Sequence, residues 1–157
     1  MEMIDEISLK ILKILQEKAR IPNVEVARQV GMAPSAVLER IRKLEKQGFI
    51  DGYEVRLNPE RFRRGLVAFL LVKTSVAGGH DSLGKRLAEI EAVQEVHYVA
   101  GKDGLLVKVR VASTAGLGRL MEEVVGKLPR VKDVKTMIVI KTFKETARIP
   151  LDVIDSA

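Results

Sequence analysis

The chain has no cysteine and no tryptophan, only two histidines, and an aromatic content of 4% over 157 residues. Without cysteine there can be no disulfide, no thiol catalysis and no cysteine-held zinc or iron–sulfur cluster. His80 and His97 each lack a second histidine at ligand spacing, so no metal site is expected. No glycine-rich phosphate loop is present. Long apolar runs are missing too. The longest, Leu66 to Val72, is far too short to span a membrane. The segment Met1 to Ser8 carries three acids and does not read as a signal peptide. The expected setting is therefore reducing, soluble and cytoplasmic, with no cofactor and no catalytic residues.

What is present is globular in balance: 46% hydrophobic and 31% charged residues, with a net charge of +6. A basic surface attracts nucleic acid. The excess divides evenly between residues 1–64 and 65–157. A DNA-binding reading must therefore come from the arrangement of residues rather than from one strongly positive half.

The first half has helical periodicity. Ile4, Ile7, Ile11, Ile14 and Leu15 form one stripe, with Asp5 and Glu6 in the first turn. Asn23 is the expected cap of a second helix, which uses Val26, Ala27 and Val30 and stops at Gly31. A third helix starts near Pro34 with Val37, Ile41 and Leu44 inside, and Gly48 closes it. Tyr53, Val55 and Leu57 alternate with Glu54 and Arg56, the pattern of a short wing-like strand. Glu60 to Gly65 reads as a charged connector.

The second half changes period. Strands are expected at Leu66–Thr74, Val93–Val99, Leu105–Val111 and Val134–Phe143. Leu83, Leu87 and Ile90 mark one helix, and Leu117, Leu120, Met121, Val124 and Leu128 mark another. The order is strand–helix–strand, twice. The expected class is α+β, with an amino-terminal winged helix-turn-helix over 1–64 and a ferredoxin-like βαββαβ domain over 65–157. Leu66–Val72 and Met137–Ile140 are apolar on both faces, so the sheet face away from the helices needs a cover. A second copy of the chain is the expected one.

The closely spaced pair of helices, with a glycine in the turn, is the DNA-reading motif. On the third helix, Ser35, Ala36, Glu39, Arg40 and Lys43 lie opposite the inner stripe, and Arg42 lies at its edge. Ser35 and Ala36 are small enough to let the backbone approach base edges. Arg40 suits guanine or a phosphate, while Arg42 and Lys43 suit phosphates. Glu39 suits cytosine or an i,i+4 pair with Lys43. These six are the expected DNA contacts. Arg61, Arg63 and Arg64 serve equally well as phosphate contacts or as solvated connector charge. Two such helices in a dimer imply double-stranded DNA with a roughly palindromic site.

Several blocks in order carry a family resemblance. They are Ile11-Leu12-Lys13-Ile14-Leu15-Gln16, Arg20-Ile21-Pro22-Asn23, Val37 through Glu45 and Gly48-Phe49-Ile50. Leu57-Asn58-Pro59, Val96 through Gly101 and Leu128-Pro129-Arg130-Val131 complete the set. From Ile4 to Ile149 the chain resembles the Lrp/AsnC, or feast/famine, family of prokaryotic regulators. The resemblance implies dimers built through the ferredoxin-like sheets, assembling into tetramers, octamers or larger. It also implies an amino acid effector held near His97, Gly101, Asp103 and Thr136 of adjacent subunits. Two departures stand out. Ala33 replaces the usual capping Ser or Thr, and the loop Gly101-Lys102-Asp103-Gly104 is one residue shorter than the family pattern. Two alternatives remain open at this point: a sirohaem-type decarboxylase related to the family, and a sensor that has lost DNA binding.

Overall fold

The computed structural model describes residues 4–75, 78–101 and 104–151. It resolves into two compact units. One spans Met1–Arg56 with Glu145–Ala157, and the other Leu57–Lys144. This division differs from the expected 64/65 boundary. The connector goes with the second unit, and the tail after Lys144 returns to the first.

The first unit is built on three helices: α1 (Glu6–Glu17), α2 (Asn23–Val30) and α3 (Pro34–Lys46). Ile11, Leu15, Val26, Ala27, Val37 and Ile41 form its core. Asp5 is the N-cap of α1, its Oδ1 accepting from the Ser8 amide at 2.7 Å. Asn23 lies inside α2, and Pro22 holds the cap position without a side-chain bond. Proline has no amide to satisfy and a fixed extended entry, so the helix starts one residue earlier than a capping Asn23 would start it. Gly31 ends α2 in the left-handed region at φ 70°. After α3, the amides of Gly48 and Phe49 bond back to the carbonyls of Glu45 and Leu44, with Gly48 at φ 76°.

Ala33, the N-cap of α3, sits in extended backbone and offers no side-chain bond. That conformation is the one a capping serine adopts. Ala33→Ser is expected to add about 1 kcal/mol to this unit and raise its melting temperature by about 4–8 °C, as calorimetry would read it. An unchanged midpoint would show that the α3 amides are already satisfied.

The wing-like strand does not form: among the described residues, 51–58 carry no strand. Alternation supplies a face but not a partner, and a lone strand has nothing to bond to. Val55 is 85% exposed. Tyr53 is tied instead to the end of α3, its hydroxyl donating to Glu45 Oε1 at 2.9 Å. Burial, and then the nearby Glu45 carboxylate, push the phenol up to about 12. The tail returns over α1. Gln16 and Ile149 exchange two hydrogen bonds, side-chain amide to backbone, at 2.9 and 2.8 Å. Arg148 donates to the Glu17 carbonyl at the open end of α1.

The second unit is one antiparallel sheet of β1 (Leu66–Thr74), β2 (Val93–Val99), β3 (Gly104–Val111) and β4 (Val131–Ile138), in the order β2-β3-β1-β4. Helices α4 (His80–Ala88) and α5 (Thr114–Arg119) cover one face. Its core includes Leu70, Val72, Leu83, Leu87, Val107 and Val109. This is the expected βαββαβ order, with three local corrections. Strand β4 starts at Val131 and ends at Ile138 rather than running to Phe143. The Val139 amide still donates to the Val67 carbonyl of β1 at 2.9 Å, and Ile140 and Phe143 beyond it are exposed. The second helix is not regular: a π turn at Leu120–Val124 and a 3-10 turn at Val125–Lys127 follow α5. The Val124 side chain lies outside the described set. Finally, α4 runs from His80 to Ala88, so Ile90, expected on its face, lies beyond its end.

Candidate DNA-binding surface and effector region

Helix α3 buries Val37, Ile41 and Leu44 and turns its other side outward. Ser35, Glu39, Arg42, Lys43 and Lys46 are exposed, and Ala36 is partly exposed. Their spacing of three, four and seven residues puts Ser35, Glu39, Arg42 and Lys46 in one line along the helix, with Lys43 beside it. Arg42 therefore belongs to the centre of the outward face and not to its edge. Lys46 extends the line four residues after Arg42 and is not among the six expected DNA contacts.

Arg40 takes the opposite correction. It lies on the flank of α3, and its Nη1 donates to Asp5 Oδ2 at 2.5 Å and to Ser8 Oγ at 3.0 Å. The Ser8 hydroxyl, then the Ser8 amide and the Arg40 guanidinium, hold the Asp5 carboxyl down at about 2. The pair is thus fully present above the ordinary aspartate range and is lost as pH falls through about 2. A depression of about 110 Å³ lies alongside, lined by Asp5, Arg40, Lys43, Leu44, Gln47 and Phe49 among others. On α2, Arg28 is likewise occupied, held by Glu25 at 2.6 Å.

In the second unit, register decides which effector candidates meet. Val96, Val107, Leu70 and Thr136 form one row across the sheet. Leu70 and Val107 belong to the helix-side core, so Thr136 faces that side, where its hydroxyl is 3.9 Å from the Met121 sulfur. The neighbouring row is His97, Leu106, Leu71 and Lys135, and it faces the other way. Within one chain His97 and Thr136 are therefore not brought together. His97 Nε2 stands 3.4 Å from Glu95 Oε2, and Lys108 Nζ stands 2.8 Å from Glu95 Oε1. Lys108, then His97, hold the Glu95 carboxyl below its usual range. Gly101 occupies the turn after β2 at φ 85°, a conformation that favours glycine. Asp103 lies outside the described residues. Among the described residues, no cluster of acids and histidines is placed to hold a metal ion. No helix among them is long and apolar enough to cross a membrane.

Comparison with known proteins matches the same two parts. A family model for winged helix-turn-helix DNA-binding matches residues 4–51, and one for the Lrp/AsnC ligand binding domain matches residues 67–149. The chain belongs to the Lrp/AsnC family. The HTH-type transcriptional regulator FL11 of Pyrococcus abyssi is 35% identical over 148 residues, covering 94% of this chain and 97% of that protein. The leucine-responsive regulatory protein of Escherichia coli K12 is 36% identical over 149 residues, covering 93% and 90%. Among solved structures, a transcriptional regulator from Neisseria meningitidis in complex with L-Met superposes with a TM-score of 0.89 at 26% identity. That superposition covers 95% of this chain and 97% of the other. A feast or famine regulatory protein from M. tuberculosis complexed with L-methionine gives 0.84 at 30% identity, covering 92% and 97%. As an Lrp/AsnC member, the chain is a DNA-binding transcription regulator with a ligand-binding domain. Both matched parts belong to regulators and not to catalysts, and nothing favours the decarboxylase or the DNA-silent sensor.

Proposed function

We propose that this regulator reads a roughly palindromic operator in double-stranded DNA as a homodimer or larger assembly, and that a small amino acid modulates it. The observation that carries the reading is the outward line of α3. Ser35 and Glu39 stand near its amino-terminal end, where base edges are read, and Arg42, Lys43 and Lys46 follow where phosphates flank the groove. Ala36 adds a methyl for thymine contact. Arg40, held by Asp5, is not counted among the direct contacts.

Assembly is supported by the outer face of the sheet. Phe69 of β1 and Met137 of β4 pair on that face, Phe69 partly and Met137 half exposed, while Val67 and Leu71 beside them are already buried. An apolar strip of this kind gains about 25 cal/mol per Å² when covered, and a second copy covers it with two-fold symmetry. Effector binding rests on the two relatives solved with methionine and on the loop at Gly101. We assign His97, Gly101, Asp103 and Thr136 to it. Because His97 and Thr136 face opposite sides of one sheet, a site that uses both draws them from different copies.

Selection of bound fragments from genomic DNA, with and without single amino acids and beginning with L-methionine, tests the reading. The expected result is recovery of a few related sites, with at least one amino acid changing occupancy or particle size. Retention of all fragments alike at moderate salt would overturn the operator claim. Indifference to every amino acid would overturn the effector claim.

A further inference from the structure

The α3 surface leaves one cation out of use. Arg40 is one turn before Lys43 on the same flank, yet it is drawn back to the start of α1 by Asp5 and Ser8. The two oxygens of Asp5 do separate jobs. Oδ1 accepts from the Ser8 amide and caps α1, while Oδ2 faces Arg40. The cap needs only one oxygen. The second oxygen accepts from a side chain of the DNA-reading helix, and the Ser8 hydroxyl bonds the same carboxylate.

We infer that Asp5 is a specificity-setting residue: by holding the Arg40 guanidinium away from the outward face of α3, it limits sequence-independent binding to phosphates. This rests on the α3 reading given above. An arginine on the flank of a groove-reading helix is a general phosphate ligand, which adds affinity for every duplex and discriminates among none. A carboxylate that keeps it occupied lowers affinity for random DNA. The contribution of base contacts to the total thereby grows. Ser8 shares the hold, but as a neutral hydroxyl it cannot replace the charge.

Asp5→Asn separates the two jobs. Asparagine caps a helix as well as aspartate does, so the Oδ1 bond to Ser8 can persist. At the second position an amide NH2 replaces the oxygen and meets Arg40 donor to donor. In a salt series on the full-length protein, random duplex is expected to bind Asp5→Asn about fivefold more tightly at 0.1 M salt. The slope of log K against log salt should steepen by about 0.9. The ratio of operator to random affinity should fall by a similar factor. Adding Arg40→Gln should cancel the gain, whereas adding Lys43→Gln should not.

Asp5→Ser, which also caps but carries no charge, provides the second variant, and a thermal melt confirms that each is folded. The inference is overturned if folded Asp5→Asn and Asp5→Ser bind random DNA as the wild type does. It is equally overturned if the gain persists in the Arg40→Gln background. Absence of any operator preference in the wild type would instead sink the α3 reading itself, so the two failures are distinguishable.

Discussion

Arg42→Ala with Lys43→Ala is expected to weaken operator binding about 50- to 100-fold at near-physiological salt, without changing particle size. Both side chains are exposed on the outward side of α3 and neither contributes to the buried stripe of Val37, Ile41 and Leu44. Their loss removes two phosphate contacts, so the slope of log K against log salt should fall by about two units. Random duplex should lose nearly as much as the operator, because phosphate contacts carry little sequence information. A companion Glu39→Ala should act differently, altering preference at one base position with little effect on the slope. Equal affinity of wild type and double variant across the salt series would remove α3 from the interface.

Ile11→Ala should have the largest effect on stability. Ile11 is fully buried at the centre of the helical unit, against α2 and α3. Truncating such a side chain costs about 2–5 kcal/mol in lost burial and residual cavity. Small units hold roughly 0.05–0.15 kcal/mol per residue, so this loss is comparable with the whole stability of the three helices. Operator binding should vanish near 37 °C, while the sheet unit, whose core is centred on Leu70 and Val107, still melts cooperatively. Calorimetry separates these events. A helical unit that melts at its original temperature would mean that the cavity collapses without cost.

Local chemistry was easiest to read in the sequence. Gly31, Pro34 and Gly48 mark helix ends because only their backbone conformations suit those places, and each does so in the structure. The four strands and their order were readable from the change of period. What escaped depends on partners distant in sequence. The Tyr53–Leu57 alternation looked like a strand because a pattern cannot reveal that no neighbour pairs with it. The spacing of Leu117, Leu120, Met121 and Leu128 fits a helix, yet a π turn interrupts it.

Arg40 is the instructive case among the candidate site residues. Helical spacing placed it near the outward face, but a long side chain on a flank goes where its partner is. That partner, Asp5, lies 35 residues away on another helix. His97 and Thr136 escaped for a related reason. Each strand's alternation is visible, but which rows align across β2, β3, β1 and β4 depends on register.

The return of the tail to α1 makes the ligand-binding unit an insert held at both ends. The chain crosses from the helical unit after Arg56 and crosses back after Lys144. One peptide-bond cut at either crossing therefore leaves two fragments still associated through the helical body, held partly by the paired amides of Gln16 and Ile149. Anyone grafting a different sensor onto these three helices must rebuild two junctions and not one.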